Sequence, residues 1–203
     1  TKDGIPRSGF RDALARWGGD LVGDDQLAGP KLQAFLEAAF RAALPHLDHA
    51  AWYLWHANLT QAFFAAAAAA AADVLLHRQI IWVKPHLVLT RSGMYHWRHE
   101  PCFYGWVRGQ QPRWLGNKAQ TSVWELPLDP GVRLHPTQKP VALFRAPIEN
   151  HLPLGGICYD PFAGSGSQLL AAEQLGRRCF AVEIEPRWCD VIRQRYAVVT
   201  GNS

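Results

Sequence analysis

Gly164, Gly166 and Glu183 fall in the run Gly155 to Pro186, GGICYDPFAGSGSQLLAAEQLGRRCFAVEIEP, and their spacing suits the binding of a nucleoside. In open α/β sheets ligands gather at the carboxyl ends of strands, where glycines let the backbone approach the ligand and an acid after the next strand takes ribose hydroxyls. The elements needed to present these groups are legible around them. Ile157, Cys158 and Tyr159 read as a short buried strand, Asp160 to Gly166 as a tight turn, and Ser167 to Leu175 as an Ala/Leu-rich helix that Gly176 stops. A second apolar strand, Cys179 to Ile184, puts Glu183 at its carboxyl end, 17 positions after Gly166. Leu169 occupies the place of a dinucleotide fingerprint's third glycine, which argues against NAD or FAD and leaves another nucleoside-containing cofactor.

With its two neighbours, the segment Asp160-Pro161-Phe162-Ala163-Gly164-Ser165-Gly166-Ser167 resembles the S-adenosylmethionine motif of the DNA amino-methyltransferases, which act on adenine N6 or cytosine N4. Three more segments fit that family: His135-Pro136-Thr137-Gln138-Lys139-Pro140, Ile80-Ile81-Trp82-Val83-Lys84, and His99-Glu100-Pro101-Cys102-Phe103-Tyr104-Gly105-Trp106. Their order resembles the permuted class, in which the cofactor half follows the catalytic half. The resemblance implies an α/β, Rossmann-like fold with a mostly parallel sheet and one antiparallel strand. It implies S-adenosylmethionine as cofactor, held by Asp160, Pro161, Phe162, Gly164, Ser165, Gly166 and Glu183, with Thr137 and Lys139 near the methionine carboxylate. Glu185 could compete with Glu183 for the ribose. His99-Glu100 reads either as a buried pair in the active-site wall or as a hydrogen-bonded strand start.

The resemblance also implies a catalytic motif, Asp/Asn/Ser-Pro-Pro-aromatic, and the sequence lacks one: Asp129-Pro130 continues as Gly131 and Asp160-Pro161 as Phe162. No catalytic residue is therefore assigned. By family order that motif and its two flanking strands precede Thr1. One of them belongs between the Ile157 strand and the Ala51 strand, so the sheet is expected to lack its N-terminal strands and to show a gap that a further segment or a complementing chain fills; a homodimer is another possibility. A chain that had lost the motif would be an inactive cofactor- or DNA-binding subunit, and an RNA or small-molecule methyltransferase is a further alternative.

The 203 residues fit one domain, and 48% apolar content is ample for a core. Four cysteines without Cys-x-x-Cys spacing read as free thiols of a reducing compartment. With no signal peptide or membrane-spanning run, the expectation is a cytoplasmic, bacterial or phage-encoded protein; the histidines show no metal-ligand spacing. Net charge is only +4, but five cations, Arg91, Arg98, Arg108, Arg113 and Lys118, face a single acid, Glu100, between residues 91 and 118. Trp97, Trp106 and Trp114 are interleaved with them, a composition suited to phosphate contact with base stacking. Double-stranded DNA with a flipped target base is the partner that the resemblance implies.

Along the chain, a turn of helix is expected at Phe10 to Trp17, a helix from Pro30 to Pro45, a strand at Ala51 to Trp55 and an alanine-rich helix through Ala65 to Ala72. Gln79 to Val83 and Pro101 to Val107 should pair as an antiparallel edge hairpin. The resemblance then implies that the first 108 residues hold the remainder of the catalytic half, that residues 109–134, with Thr121 to Glu125 as their one regular piece, are a short target-recognition segment, and that 135–203 are the cofactor half. A helix from Val141 to His151 should be kinked or split by Pro147, and Arg187 to Val198 reads as a last amphipathic helix.

Overall fold

The computed structural model describes residues 27–89, 94–130 and 138–201. The expected turn of helix at Phe10 to Trp17 lies outside the described residues.

Helix α1 (Gly29–Ala43) carries Pro30 in its first turn, where a missing N–H costs nothing, and buries Leu36, Phe40 and Ala43. After strand β1 (Trp52–Trp55), helix α2 (Gln61–Ala72) buries Ala67, Ala68, Ala71 and Ala72. Alanine has little side chain to hold neighbours off, so α2 packs closely on α1 and on the sheet. Leu36, Phe40, Trp52, these alanines and Val74 form one core cluster, with the Phe40 and Trp52 rings edge to face at 5.3 Å. Asp73 ends α2 in the left-handed conformation, and strand β2 (Val74–Val88) starts at once.

Strand β3 (Trp97–Val107) lies between β1 and β2 and is antiparallel to both, while short β4 (Val123–Glu125) runs parallel to β2. The sheet order is β1-β3-β2-β4, so β1, β2 and β4 point one way and β3 alone opposes them. The β2–β3 hairpin differs from expectation in two ways. It is longer, because the polar stretch His77-Arg78-Gln79 is carried into the ladder through a register shift at His77, whose ring stacks on Trp106 at 3.6 Å between centroids. Nor is it at an edge: β1 covers the outer side of β3 and β4 that of β2.

Helix α3 (Ala142–His151) is continuous through Pro147. One ladder hydrogen bond is lost at the ring, but Leu143 and Asn150, buried on either side of it, hold the helix in one piece. Strands β5 (Ile157–Asp160) and β6 (Arg178–Ala181) form a separate parallel pair linked by helix α4 (Ser167–Gln174), and helix α5 (Pro186–Thr200) follows. The β6 ladder stops at Ala181, so Glu183 sits two residues beyond it. Cys158 and Cys179, opposite one another in register, pack with Ile148, Ala171 and Ala172. The other face is bare: Ile157 is 47% exposed and Phe180 59%, contrary to the expectation of buried strands. Among the described residues β1 pairs only with β3 and β5 only with β6, leaving both with a bare edge.

Candidate cofactor and active site

The glycine turn is built by local chemistry. Asp160 ends β5 and its carboxylate accepts the Phe162 N–H at 3.2 Å. Gly164 and Gly166 take φ of 53° and 76°, values that a side chain would strain, and the Gly166 N–H donates to the Ala163 carbonyl at 2.8 Å. Gly166 also starts α4, and a methyl group there would press on Ile192 of α5. From the β6 side, Val182 accepts the Ala163 N–H at 2.9 Å and Glu183 Oε2 accepts the Gly164 N–H at 2.7 Å, while Glu183 Oε1 accepts the Glu185 N–H. Glu183 therefore braces the turn, with lone pairs left for a ligand hydroxyl. Glu185, its rival by position, instead lies 3.9 Å from Arg187.

In front of the turn is a cavity of about 250 Å³. Its lining includes Phe162, Ala163, Gly164 and Ser165 of the turn, Tyr159 and Asp160 of β5, Gln138 and Lys139, and Tyr53, Leu54 and Trp55 of β1. The cavity is thus bounded by residues of both β1 and β5, the two strands with a bare edge among the described residues. Gly166 and Glu183 are not among its lining residues; they act on the turn that lines it, Gly166 through its backbone conformation and Glu183 through the Gly164 N–H. Thr137 lies outside the described residues.

Lys139 is held by a charge cluster that ties the hairpin to the site. Glu100 of β3 pairs with Lys84 of β2 through one oxygen and with Lys139 through the other, at 2.9 Å. Burial alone would raise the Glu100 carboxyl, but the Lys139 and Lys84 ammonium groups outweigh it and hold the carboxyl below its ordinary range. Neither His99 nor Glu100 lines the cavity: Glu100 pairs with Lys139, which does, while His99 Nε2 meets Asn58 Nδ2 at 3.3 Å. Asp160 is pushed the other way, up to about 6, by burial and by the nearby Glu183, against the Phe162 N–H and Lys139.

At the end of β1, Trp55 Nε1 and His56 Nε2 are buried without a hydrogen-bond partner among the described residues. Burial lowers the His56 pKa below the usual imidazole range, and its Nδ1 meets the Ala57 carbonyl at 3.1 Å. Orphaned polar atoms of this kind call for a partner.

The cations expected at DNA are dispersed. Arg91 lies outside the described residues. Arg98, exposed, is two residues from Glu100 at the cavity end of β3 and reaches the Lys84 carbonyl at 3.3 Å. Arg108 follows the opposite end of β3 and pairs with Asp73 at 3.0 Å. Arg113 and Lys118 are exposed on a segment pinned to the C-terminus of α3. There Leu115 N–H donates to the Asn150 carbonyl, Gln120 and Asn150 exchange amide hydrogen bonds at 2.7 and 2.8 Å, and His151 Nδ1 donates to the Arg113 carbonyl at 2.8 Å. That tautomer lets His151 Nε2 accept the Tyr53 hydroxyl.

Two residues at the turn carry no sequence signal. Arg195 of α5 donates to the Ser165 carbonyl and to the Ser165 and Ser167 hydroxyls, and Asp129 lies 3.6 Å from its other nitrogen. Their separation from the turn, about 30 residues on either side, hides them from any motif.

The architecture is that of S-adenosylmethionine-dependent DNA methyltransferases: the structure of the M1.HpyAVI–SAM complex superposes with a TM-score of 0.67 at 22% identity, over 80% of this chain and 82% of that one. PvuII DNA methyltransferase, cytosine-N4-specific, superposes at 0.68 and 11% identity, over 91% and 79%. A family model for DNA methylases of the N6/N4 type matches residues 24–194. The protein YubD of Escherichia coli (strain K12) is 32% identical over 197 residues, covering 94% of this chain and 78% of YubD. The type II methyltransferase M2.MboI of Moraxella bovis is 32% identical over 89 residues, 42% of this chain and 33% of that enzyme. The chain belongs to the N6/N4 DNA methylase family, whose cofactor is S-adenosylmethionine.

The residues present fit that cofactor. A positively charged Lys139, a partly buried Asp160, the half-exposed face of Phe162 and glycine backbone meet at one cavity, and Glu183 has acceptor capacity beside it.

Proposed function

We propose that the chain forms the cofactor-binding and DNA-facing part of an enzyme that methylates an exocyclic base amine in double-stranded DNA, adenine N6 in preference to cytosine N4. The observation that carries the reading is the cavity between the glycine turn and Lys139, in a chain of the DNA methylase family. When bound, S-adenosylmethionine supplies a methyl group activated by its sulfonium. Lys139, fixed by Glu100, attracts the methionine carboxylate; Glu183 takes the ribose hydroxyls; ionised Asp160 lends negative charge to a cationic ligand. Residues 109–134 read the target sequence. In a bacterial cell this chemistry belongs in the cytoplasm, where the DNA is.

Methyl transfer to an amine requires its lone pair to be aimed at the methyl carbon, which is positioning and charge stabilisation in a water-poor pocket. The family motif for that task is absent from these residues. The cleft between β1 and β5 is the place for it: two bare edges border the cavity, and Trp55 and His56 lie at its β1 side with unpartnered nitrogens. A motif-bearing strand from further polypeptide or from a complementing chain would pair both edges.

Transfer of tritiated methyl groups to mixed genomic DNA tests this, with and without a motif-bearing polypeptide and with Glu183→Ala as control. Label should enter DNA only with that polypeptide, fall at least about tenfold in Glu183→Ala, and be recovered as N6-methyladenine. Label in RNA but not DNA would overturn the substrate; N4-methylcytosine would reverse the base preference; no cofactor binding at all would overturn the reading.

A further inference from the structure

The glycine turn is braced from two sides, and only one of them belongs to the β5–β6 unit. On the β6 side are Val182 and Glu183. On the other side a single residue of α5, Arg195, has one nitrogen 2.6 Å from the Ser165 carbonyl, 3.0 Å from the Ser165 hydroxyl and 3.2 Å from the Ser167 hydroxyl. Its second nitrogen faces Asp129 at 3.6 Å, and the Arg195 side chain is only 12% exposed. Asp129 also accepts the Val141 N–H through both oxygens at 3.0 Å, and the Ser167 hydroxyl donates to the Lys139 carbonyl at 2.7 Å. One guanidinium therefore links the turn, the start of α4, the start of α3 and the backbone of Lys139.

We infer that Arg195 is a positioning residue for the cofactor: its planar fork fixes the Gly164–Ser167 backbone and the Lys139 main chain in the geometry that binds S-adenosylmethionine. This inference rests on the reading of the cavity as the cofactor site. The geometry supports a positioning role over mere packing. Ser165 and Ser167 are almost fully buried, so their polar atoms have no water to fall back on, and charge-assisted hydrogen bonds to a fixed fork are both strong and directional. Lysine has the charge but not the fork, and cannot serve three acceptors and Asp129 together.

The test is calorimetric titration of the full chain with S-adenosylhomocysteine, comparing wild type, Arg195→Met and Arg195→Lys, alongside hydrogen exchange at residues 163–170. Arg195→Met should weaken binding at least about tenfold, with Arg195→Lys between it and wild type. Exchange should quicken at Gly166 and Leu170, whose amides donate to Ala163 and Gly166, while β2 and β3 keep their protection. If the methionine variant does not fold, Ser165→Ala with Ser167→Ala removes the two hydroxyl acceptors while keeping the Ser165 carbonyl, and should still weaken binding several-fold. Wild-type affinity within twofold in these variants would overturn the inference and leave the site reading intact. Absence of binding in the wild type would overturn the reading of the cavity, and the inference with it.

Discussion

A carboxyl group buried beside the glycine turn is costly to ionise in the folded chain unless a bound cation uses its charge. Asp160 is such a group, raised to about 6 by burial with Glu183 close by. An unfolded aspartate titrates near about 3.9, so between these values the folded chain holds the proton more tightly than the unfolded one. The contribution of Asp160 to stability is therefore fullest below about pH 4 and is lost as pH rises to about 6. Asparagine keeps the acceptor for the Phe162 N–H and removes the charge. Asp160→Asn should stabilise the ligand-free chain at pH 7 by about 1–2 kcal/mol, the gain vanishing at about pH 4, while weakening binding of a cationic cofactor. Urea midpoints of both proteins at the two pH values check this; a variant destabilised at both would mean that Asp160 serves the turn chiefly by its hydrogen bond.

At the scale of elements, β3 is the strand on which the site depends, because it carries Glu100 toward Lys139 and sits between β1 and β2. Near its C-terminal end is Gly105, opposite Trp52 on one side and Leu76 on the other, next to the register shift at His77. A methyl group on Gly105 would run into the Leu75 carbonyl, which is ladder backbone and cannot swing aside. Gly105→Ala should cost about 2 kcal/mol or more in thermal or urea unfolding, whereas alanine at Gly109, where nothing stands within 4 Å, should cost less despite its positive φ. Equal losses at the two would show that close strand contact is not what selects glycine at 105. Elements such as β3 were legible because alternation and glycine punctuation are local properties. The turn from Asp160 to Gly166 was legible for the same reason, since its conformation is written in its own residues. Arg195, Asp129 and the Glu100–Lys139 pair were not, because each meets its partner only after separate elements pack. The bare face of β5 and β6 was also missed: apolar strands imply a cover, and no local pattern says whether the cover lies within the same residues.

The described residues divide into two sheets, one four-stranded and one the β5–β6 pair, and β1 of the first and β5 of the second both line the cavity. That division also sorts the cations, which composition alone grouped into one patch. Arg98 and Arg108 are ten residues apart along an extended strand, roughly 33 Å, too far to share one stretch of phosphates beside the base being modified. Arg98 shares the cavity end with Glu100 and Lys139, whereas Arg108 is spent on Asp73 at the end where α2 meets β2. If the proposed function holds, the duplex must approach the cavity end, and of these two cations Arg98 is the one that releases counterions from it. Arg98→Ala should weaken duplex binding several-fold and lower the slope of log affinity against log salt by about 1. Arg108→Ala should leave both unchanged and cost no more than about 1 kcal/mol of stability, as expected for an exposed pair. Fluorescence anisotropy of a labelled duplex across a salt series distinguishes the two. The opposite ranking, with Arg108 controlling the slope, would move the DNA face to the far end of β3 and separate it from the cofactor cavity.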